Sequence, residues 1–163
     1  MTRARSGFYW LPLSLFIAVL LGLLPLPEMF AALRPYFLGM VAVYWLLEMP
    51  DRFGMGAAFA TGLVGDLVFG TLIGEQALRL TVLAFIVQRF RARLRFFPIG
   101  QQSAAVFALL LNDRVIAAAV RSALGEGVPR WPFWLSPLLV LLLWPWMVLS
   151  FDVLRARSRE RRP

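Results

Sequence analysis

Small residues recur at every fourth position between Gly54 and Gly74, and this spacing limits what the chain can fold into. The positions are Gly54, Ala58, Gly62, Asp66, Gly70 and Gly74, and most residues between them are apolar. This pattern is unfavourable in a helix of a water-soluble protein, because each glycine in a helix interior lowers helix stability by about 1 kcal/mol relative to alanine. In a bilayer, small residues instead let neighbouring helices approach closely. The stretch therefore predicts the central helix of a membrane bundle, with one aspartate that needs a partner.

The rest of the chain also favours a membrane location. Of the 163 residues, 60% are hydrophobic, and long apolar runs recur along the chain. They predict one all-α domain over residues 1–163, a polytopic bundle of six transmembrane helices at about 8–24, 36–49, 53–69, 75–88, 101–124 and 131–151. The first run has no good cleavage site, so we expect an uncleaved helix. The second is short for a bilayer, which leaves open whether it fully spans.

All 17 basic residues are arginine, and their distribution predicts the orientation. The N-terminus, Arg52, the 89–95 segment and the tail from Arg155 hold 12 of them, whereas the connections on the other side hold Arg34 and Arg130. Because cytoplasmic connections are enriched in basic residues, both termini are predicted to be cytoplasmic. The tail is expected to be mobile, and a cytoplasmic basic loop is predicted from Arg89, Arg91, Arg93 and Arg95. We assign the net charge of +8 to contact with lipid headgroups and expect no nucleic-acid partner.

Several polar residues lie within the predicted spans, where they are unfavourable unless they are paired. They are Asp66, Arg79, Asn112, Asp113 and Arg114. Asp66 and Arg79 are equally far from the middle of the third hairpin, so we expect them to pair or to share a polar pocket with Gln76. Adjacent helical residues point about 100° apart, so we expect one of Asp113 and Arg114 to face inward and the other to meet a different helix or a partner subunit. For both groups, internal packing and contact with a substrate or partner remain open.

Trp144 and Trp146 flank Pro145 in the sixth predicted helix, where the proline is expected to cause a kink. Tryptophans close to the bilayer surface are usually interface residues, so we expect that role for both, with docking of a partner as the alternative. The chain has no cysteine and no histidine. Metal binding and catalysis by these residues are therefore excluded, and we expect no cofactor, no metal and no enzymatic activity.

Short motifs follow one another along the chain. They are Arg34-Pro35, Tyr44-Trp45, the stretch from Met49 to Gly54, Gly62-x-x-x-Asp66-x-x-x-Gly70-x-x-x-Gly74, Phe97-Pro98-x-x-Gln101-Gln102 and Trp144-Pro145-Trp146. In this order and at this spacing, over about residues 8–155, they resemble the rod shape-determining protein MreD family.

The resemblance implies a non-enzymatic scaffold in the bacterial inner membrane, part of the cell-elongation machinery that controls cell shape and peptidoglycan synthesis. It implies MreC as the first partner, with MreB, the glycosyltransferase RodA and a class B penicillin-binding protein in a larger complex. It also implies a fold similar to the substrate-binding subunit of energy-coupling factor transporters, and such a subunit of a small-molecule transporter is the alternative function. The small-residue face from Gly54 to Gly74, with Trp144 and Trp146, is the expected partner-binding or packing surface.

Overall fold

The described residues of the computed structural model are 9–25, 27, 34–127 and 129–160, without the side chains of 155 and 157–160. Arg3, Arg5 and the last three residues of the tail lie outside them. The described part of the chain forms α-helices and one 3₁₀ helix and contains no strand. The helices are α1 Trp10–Leu23, α2 Phe37–Glu48, α3 Met55–Phe69, α4 Glu75–Leu94, α5 Ile99–Ala123 and α6 Leu138–Glu160, and the 3₁₀ helix Trp131–Leu135 precedes α6.

Two helical stretches, Ile99–Ala123 and Trp131–Leu154, are long enough and apolar enough to cross a membrane. Helices α1, α2 and α3 are apolar but shorter. Large apolar side chains point away from the bundle, among them Leu67 and Leu142, which are 72% and 70% exposed. Apolar surface of this kind, spread over several helices, is suited to contact with lipid.

Helix α2 lies at the centre of the bundle, so the prediction of a central α3 is wrong. Ten of the twelve residues of α2 are buried, and it contacts α1, α4, α5 and α6. The Trp45 indole donates a 2.7 Å hydrogen bond to the hydroxyl of Ser14 in α1, and the Tyr44 hydroxyl donates to Asp152 in α6. A helix that is apolar all round can be enclosed on every side, whereas a stripe of small residues brings only one neighbour close.

The small-residue face of α3 packs against α4. Ala58, Gly62 and Asp66 are buried on this face. A Cβ atom at Gly62 would lie 2.6 Å from the backbone nitrogen of Ala77 and 2.7 Å from the carbonyl oxygen of Gln76, so the two backbones are in direct contact. Gly54 precedes α3, whereas Gly70 and Gly74 form the turn to α4 with φ of 63° and 102°, a conformation that glycine adopts without strain.

Two helices continue beyond the apolar runs that predicted them. Helix α4 ends at Leu94, so Arg89, Arg91 and Arg93 are helical and only Arg95 follows the helix. The predicted basic loop is therefore wrong, and the tail expected to be mobile is helical as far as Glu160. The end of an apolar run marks a change of environment, and arginine is a good helix former that lets the helix continue past it.

Candidate functional site

A cluster of buried polar side chains lies where the end of α3, the start of α4 and the middle of α5 meet. We call it the polar cluster, and its members are Asp66, Glu75, Gln76, Arg79 and Asp113. Three helices that meet at one level explain why residues so far apart in the sequence are neighbours. Charged groups at this position are stable only when every one of them has a partner.

Asp66 binds the first turn of α4. Its carboxylate accepts hydrogen bonds from the backbone N–H groups of Gly74 and Gln76 and from the hydroxyl of Thr71, all at 2.8 Å, and a longer one from the N–H of Ala77 at 3.4 Å. The first N–H groups of a helix have no partner within the helix and favour a negative charge. Asp66 therefore caps α4 from the neighbouring helix, which satisfies both the carboxylate and the backbone.

Arg79 pairs with Asp113, so a direct pair of Asp66 with Arg79 is wrong, whereas the alternative that both share a polar region with Gln76 agrees with the polar cluster. The Arg79 Nε donates to Asp113 Oδ1 at 2.9 Å, and a second, shorter bond joins the Arg79 guanidinium to Asp113 Oδ2. A third nitrogen lies 3.4 Å from Glu75, one helical turn earlier. The Tyr36 ring lies 4.6 Å from the guanidinium carbon. Such a two-point pair between planar groups fixes the orientation of both side chains, here linking α4 to α5.

The three adjacent polar residues of α5 point in three directions. Asp113 is buried against Arg79, whereas Asn112 is exposed on the outside of the helix. Arg114 is partly buried, donates to the backbone carbonyl of Arg34 at 3.2 Å and lies over the Phe133 ring, 4.6 Å from its centre. The structure thus places each residue in a different environment, as the 100° step between helical neighbours requires.

The two tryptophans of α6 have opposite environments. Trp144 is fully buried and donates from its indole to the Gln102 side chain at 3.1 Å, whereas Trp146 is 73% exposed. The expectation that both are interface residues is therefore wrong for Trp144, which joins α6 to α5. Gln102 also donates to the carbonyl of Leu94 at the end of α4.

Some contacts within and around the polar cluster were not predicted. The pair of Glu75 with Arg79 has the i,i+4 spacing of helical ion pairs, which the sequence displays. Tyr36 has no comparable signal, although its hydroxyl donates to Gln76 at 2.7 Å. Arg34 belongs to the Arg34-Pro35 motif, but the sequence does not indicate its contacts: its guanidinium donates to the carbonyls of Gly22 and Leu24 at the end of α1.

An open pocket of about 400 Å³ adjoins the polar cluster. Its wall is formed by the residues before α2, the end of α3, the start of α4, the second half of α5 and the 3₁₀ helix. The residues that matter most for its chemistry are Arg34, Tyr36, Arg79, Arg114, Arg121 and Phe133. We call it the arginine pocket.

Two similarities to known proteins cover almost the whole chain. The family described as rod shape-determining protein MreD matches residues 4–153. The rod shape-determining protein MreD of Haemophilus influenzae is 32% identical over 159 residues, which cover 96% of this chain and 98% of that protein. No solved structure matches the chain, so the likeness to a transporter subunit stays a prediction. The chain therefore belongs to the MreD family of rod shape-determining proteins.

Proposed function

We propose that the chain is a non-enzymatic scaffold of the rod complex, which links MreC, and through it the peptidoglycan synthases, to MreB. Family membership supports a role in rod shape. A scaffold for a single-span protein needs a surface on which a transmembrane helix can dock. The small-residue face of α3 cannot serve, because α4 already covers Gly62 and Asp66.

The outward side of α5 supports the proposal, because it exposes small residues and one polar side chain. Ala104, Ala108, Asn112, Val115 and Ala119 are all exposed there, and we call them the α5 outer face. Asn112 lies halfway along the helix, and its amide has no hydrogen-bond partner among the described residues. An amide facing lipid is unfavourable, whereas a partner helix can bond to it while the alanines permit close approach.

Substitutions that enlarge the α5 outer face test the docking site. Ala108→Leu should reduce the amount of MreC that co-purifies from membranes, because the larger side chain keeps the partner helix away. Ala60→Leu is the matched control, since Ala60 is an exposed alanine of α3. Asn112→Leu should weaken binding about fivefold, which corresponds to the loss of one interhelical hydrogen bond of about 1 kcal/mol.

Photo-crosslinking locates the partner independently of affinity. A crosslinker at Ala108 should capture MreC, and one at Ala60 should not. An apolar groove between α1 and α6, lined by Ile17 and Leu143 among others, is the competing surface. Crosslinks from the groove and none from Ala108, or an equal loss of MreC in both leucine variants, would refute docking on α5.

The arginine-rich end of α4 is proposed to face the cytoplasm, with both termini, in the inner membrane. Arg89, Arg93 and Arg95 are exposed there, and the excess of arginine on this side supports the orientation. Each such arginine contributes about 1 kcal/mol near anionic lipid, and the same surface is available to MreB. Labelling of Arg93→Cys by a membrane-impermeant thiol reagent should occur only in inverted vesicles.

A second function, the substrate-binding subunit of a small-molecule transporter, is favoured by the arginine pocket. Its volume of about 400 Å³ lies within the range of pockets that bind small ligands. Native mass spectrometry of protein purified without added ligand distinguishes the two functions. A retained water-soluble molecule that is lost in pocket variants supports transport, whereas retention of lipid alone or of nothing contradicts it.

A further inference from the structure

We propose that the arginine pocket binds a phosphate group, with Arg114 and Arg121 as its principal contacts. The proposal stands on charges and geometry at the pocket and does not depend on docking at the α5 outer face. Four guanidinium groups line the pocket, those of Arg34, Arg79, Arg114 and Arg121.

Two of the four arginines are used in holding the bundle together. Arg79 is paired with Asp113 and Glu75. Arg34 donates to the carbonyls of Gly22 and Leu24 at 2.6 and 2.7 Å, and these are carbonyls that the end of α1 leaves without helical partners. Its remaining nitrogen, Nε, is buried and unbonded among the described residues.

Arg114 has no ion pair among the described residues, and Arg121 has one that it shares with Arg79. Arg114 bonds only to a backbone carbonyl, and among the described carboxylates none forms an ion pair with it. Within the described part of the chain, the one carboxylate that Arg121 reaches is Glu75, at 3.7 Å, and it is shared with the closer Arg79. A partly buried cation without a counter-charge is unfavourable, so an anion entering the pocket would relieve the excess charge.

Phe133 holds both guanidinium groups on the same wall of the pocket. Their carbon atoms lie 4.6 Å and 6.0 Å from the centre of its ring. The two arginines are seven residues apart on α5 and therefore lie on the same side of it. Two guanidinium groups ordered by one ring form a preorganised site for a tetrahedral oxyanion, because each can donate two parallel hydrogen bonds.

The residues that line the pocket besides the arginines fit an amphiphilic ligand. Phe69 and Gly22 also line the pocket, together with Gln76 and Thr71 as further polar groups. The volume exceeds that of a bare anion and suits a phosphate with part of the molecule that carries it. The phosphate can therefore come from the headgroup of an anionic phospholipid or from a free phosphate compound, and experiment can separate these sources.

Binding is measured on the full chain in two settings. In phosphate-free detergent solution, inorganic phosphate is titrated while the midpoint of thermal unfolding is followed. In nanodiscs of phosphatidylcholine with increasing phosphatidylglycerol, bound lipid is counted by native mass spectrometry after release. Arg114→Gln should weaken the binding at least about tenfold, the loss expected when hydrogen bonds from a charged donor are removed.

Arg130→Gln is the matched control, because Arg130 is exposed in the neighbouring connection and is not part of the pocket wall. If Arg114→Gln fails to fold, Arg121→Gln replaces it, since that side chain is 38% exposed. Phosphate binding without lipid selectivity identifies a free phosphate compound, and selective retention of phosphatidylglycerol identifies a lipid headgroup. Binding of neither, or equal weakening by Arg130→Gln, overturns the proposal.

Discussion

Replacing Gly62 by alanine should destabilise the protein, although alanine is the better helix former. The added Cβ atom would lie 2.6 Å from the Ala77 nitrogen and 2.7 Å from the Gln76 carbonyl oxygen. Both are backbone atoms of α4, so neither can move aside as a side chain would. Helices α3 and α4 must separate, which also stretches the hydrogen bonds from the start of α4 to Asp66.

The expected change in the free energy of unfolding is the sum of two opposing effects. Overpacking of a well-packed contact costs about 1–3 kcal/mol, and the gain in helix propensity returns at most about 1 kcal/mol. Gly56 and Gly65 of the same helix complete the series: a Cβ at Gly56 meets nothing within 4 Å, and one at Gly65 lies 3.2 Å from the flexible Leu38 side chain. Stability should therefore decrease in the order Gly56→Ala, Gly65→Ala, Gly62→Ala.

Unfolding by sodium dodecyl sulfate, followed by circular dichroism in mixed micelles, measures the three free energies under one condition. Gly56→Ala is expected to be neutral or stabilising, and Gly62→Ala to lose stability relative to it by at least about 1 kcal/mol. If the two variants have the same free energy of unfolding, the close contact of α3 with α4 does not stabilise the fold and the argument from small residues fails.

Three further predictions concern the polar groups. Asp113→Leu should lower the free energy of unfolding by about 3–5 kcal/mol, because it leaves Arg79 buried without its main partner. Adding Arg79→Met to the same chain should restore most of this loss in a double-mutant cycle. Equal stability of the single and double variants would contradict this expectation. Asp66→Ala should cost about 1–3 kcal/mol in the same unfolding assay, because several N–H groups lose their acceptor, and no measurable loss would show that water replaces it. Trp144→Phe should lower the thermal unfolding midpoint, whereas Trp146→Phe, at a side chain that is 73% exposed, should leave it unchanged.

The positions of the helices could be predicted because their signals are local. Apolar runs and the prolines between them predicted 36–49 and 53–69, and the helices are Phe37–Glu48 and Met55–Phe69. The ends of α4 and α6 were missed because an arginine-rich sequence ends an apolar run without ending a helix. Among the described residues, two helical stretches have the length and composition to cross a membrane. That all six helices span it therefore remains a prediction.

The sequence indicates which helices carry polar residues, but it does not indicate the partners of those residues. Equal distance from a turn predicts that Asp66 and Arg79 lie at similar depth, and it says nothing about the direction of their side chains. Asp66 turns to the start of α4, where backbone N–H groups need an acceptor, and Arg79 turns to α5. Trp144 and Trp146 are two residues apart, about 200° around the helix, so one predicted role for both could not hold.

The shortness of α2 bears on how the chain is inserted during synthesis. Its twelve residues extend about 18 Å, less than the roughly 30 Å of hydrocarbon that a separate span must cross. Helices α4 and α5, which enclose it, are translated later. A nascent chain that ends before Glu75 thus presents a segment too short to be held by lipid alone. We expect α2 to be retained at the translocon until α4 arrives, so that the first four helices enter the bilayer together.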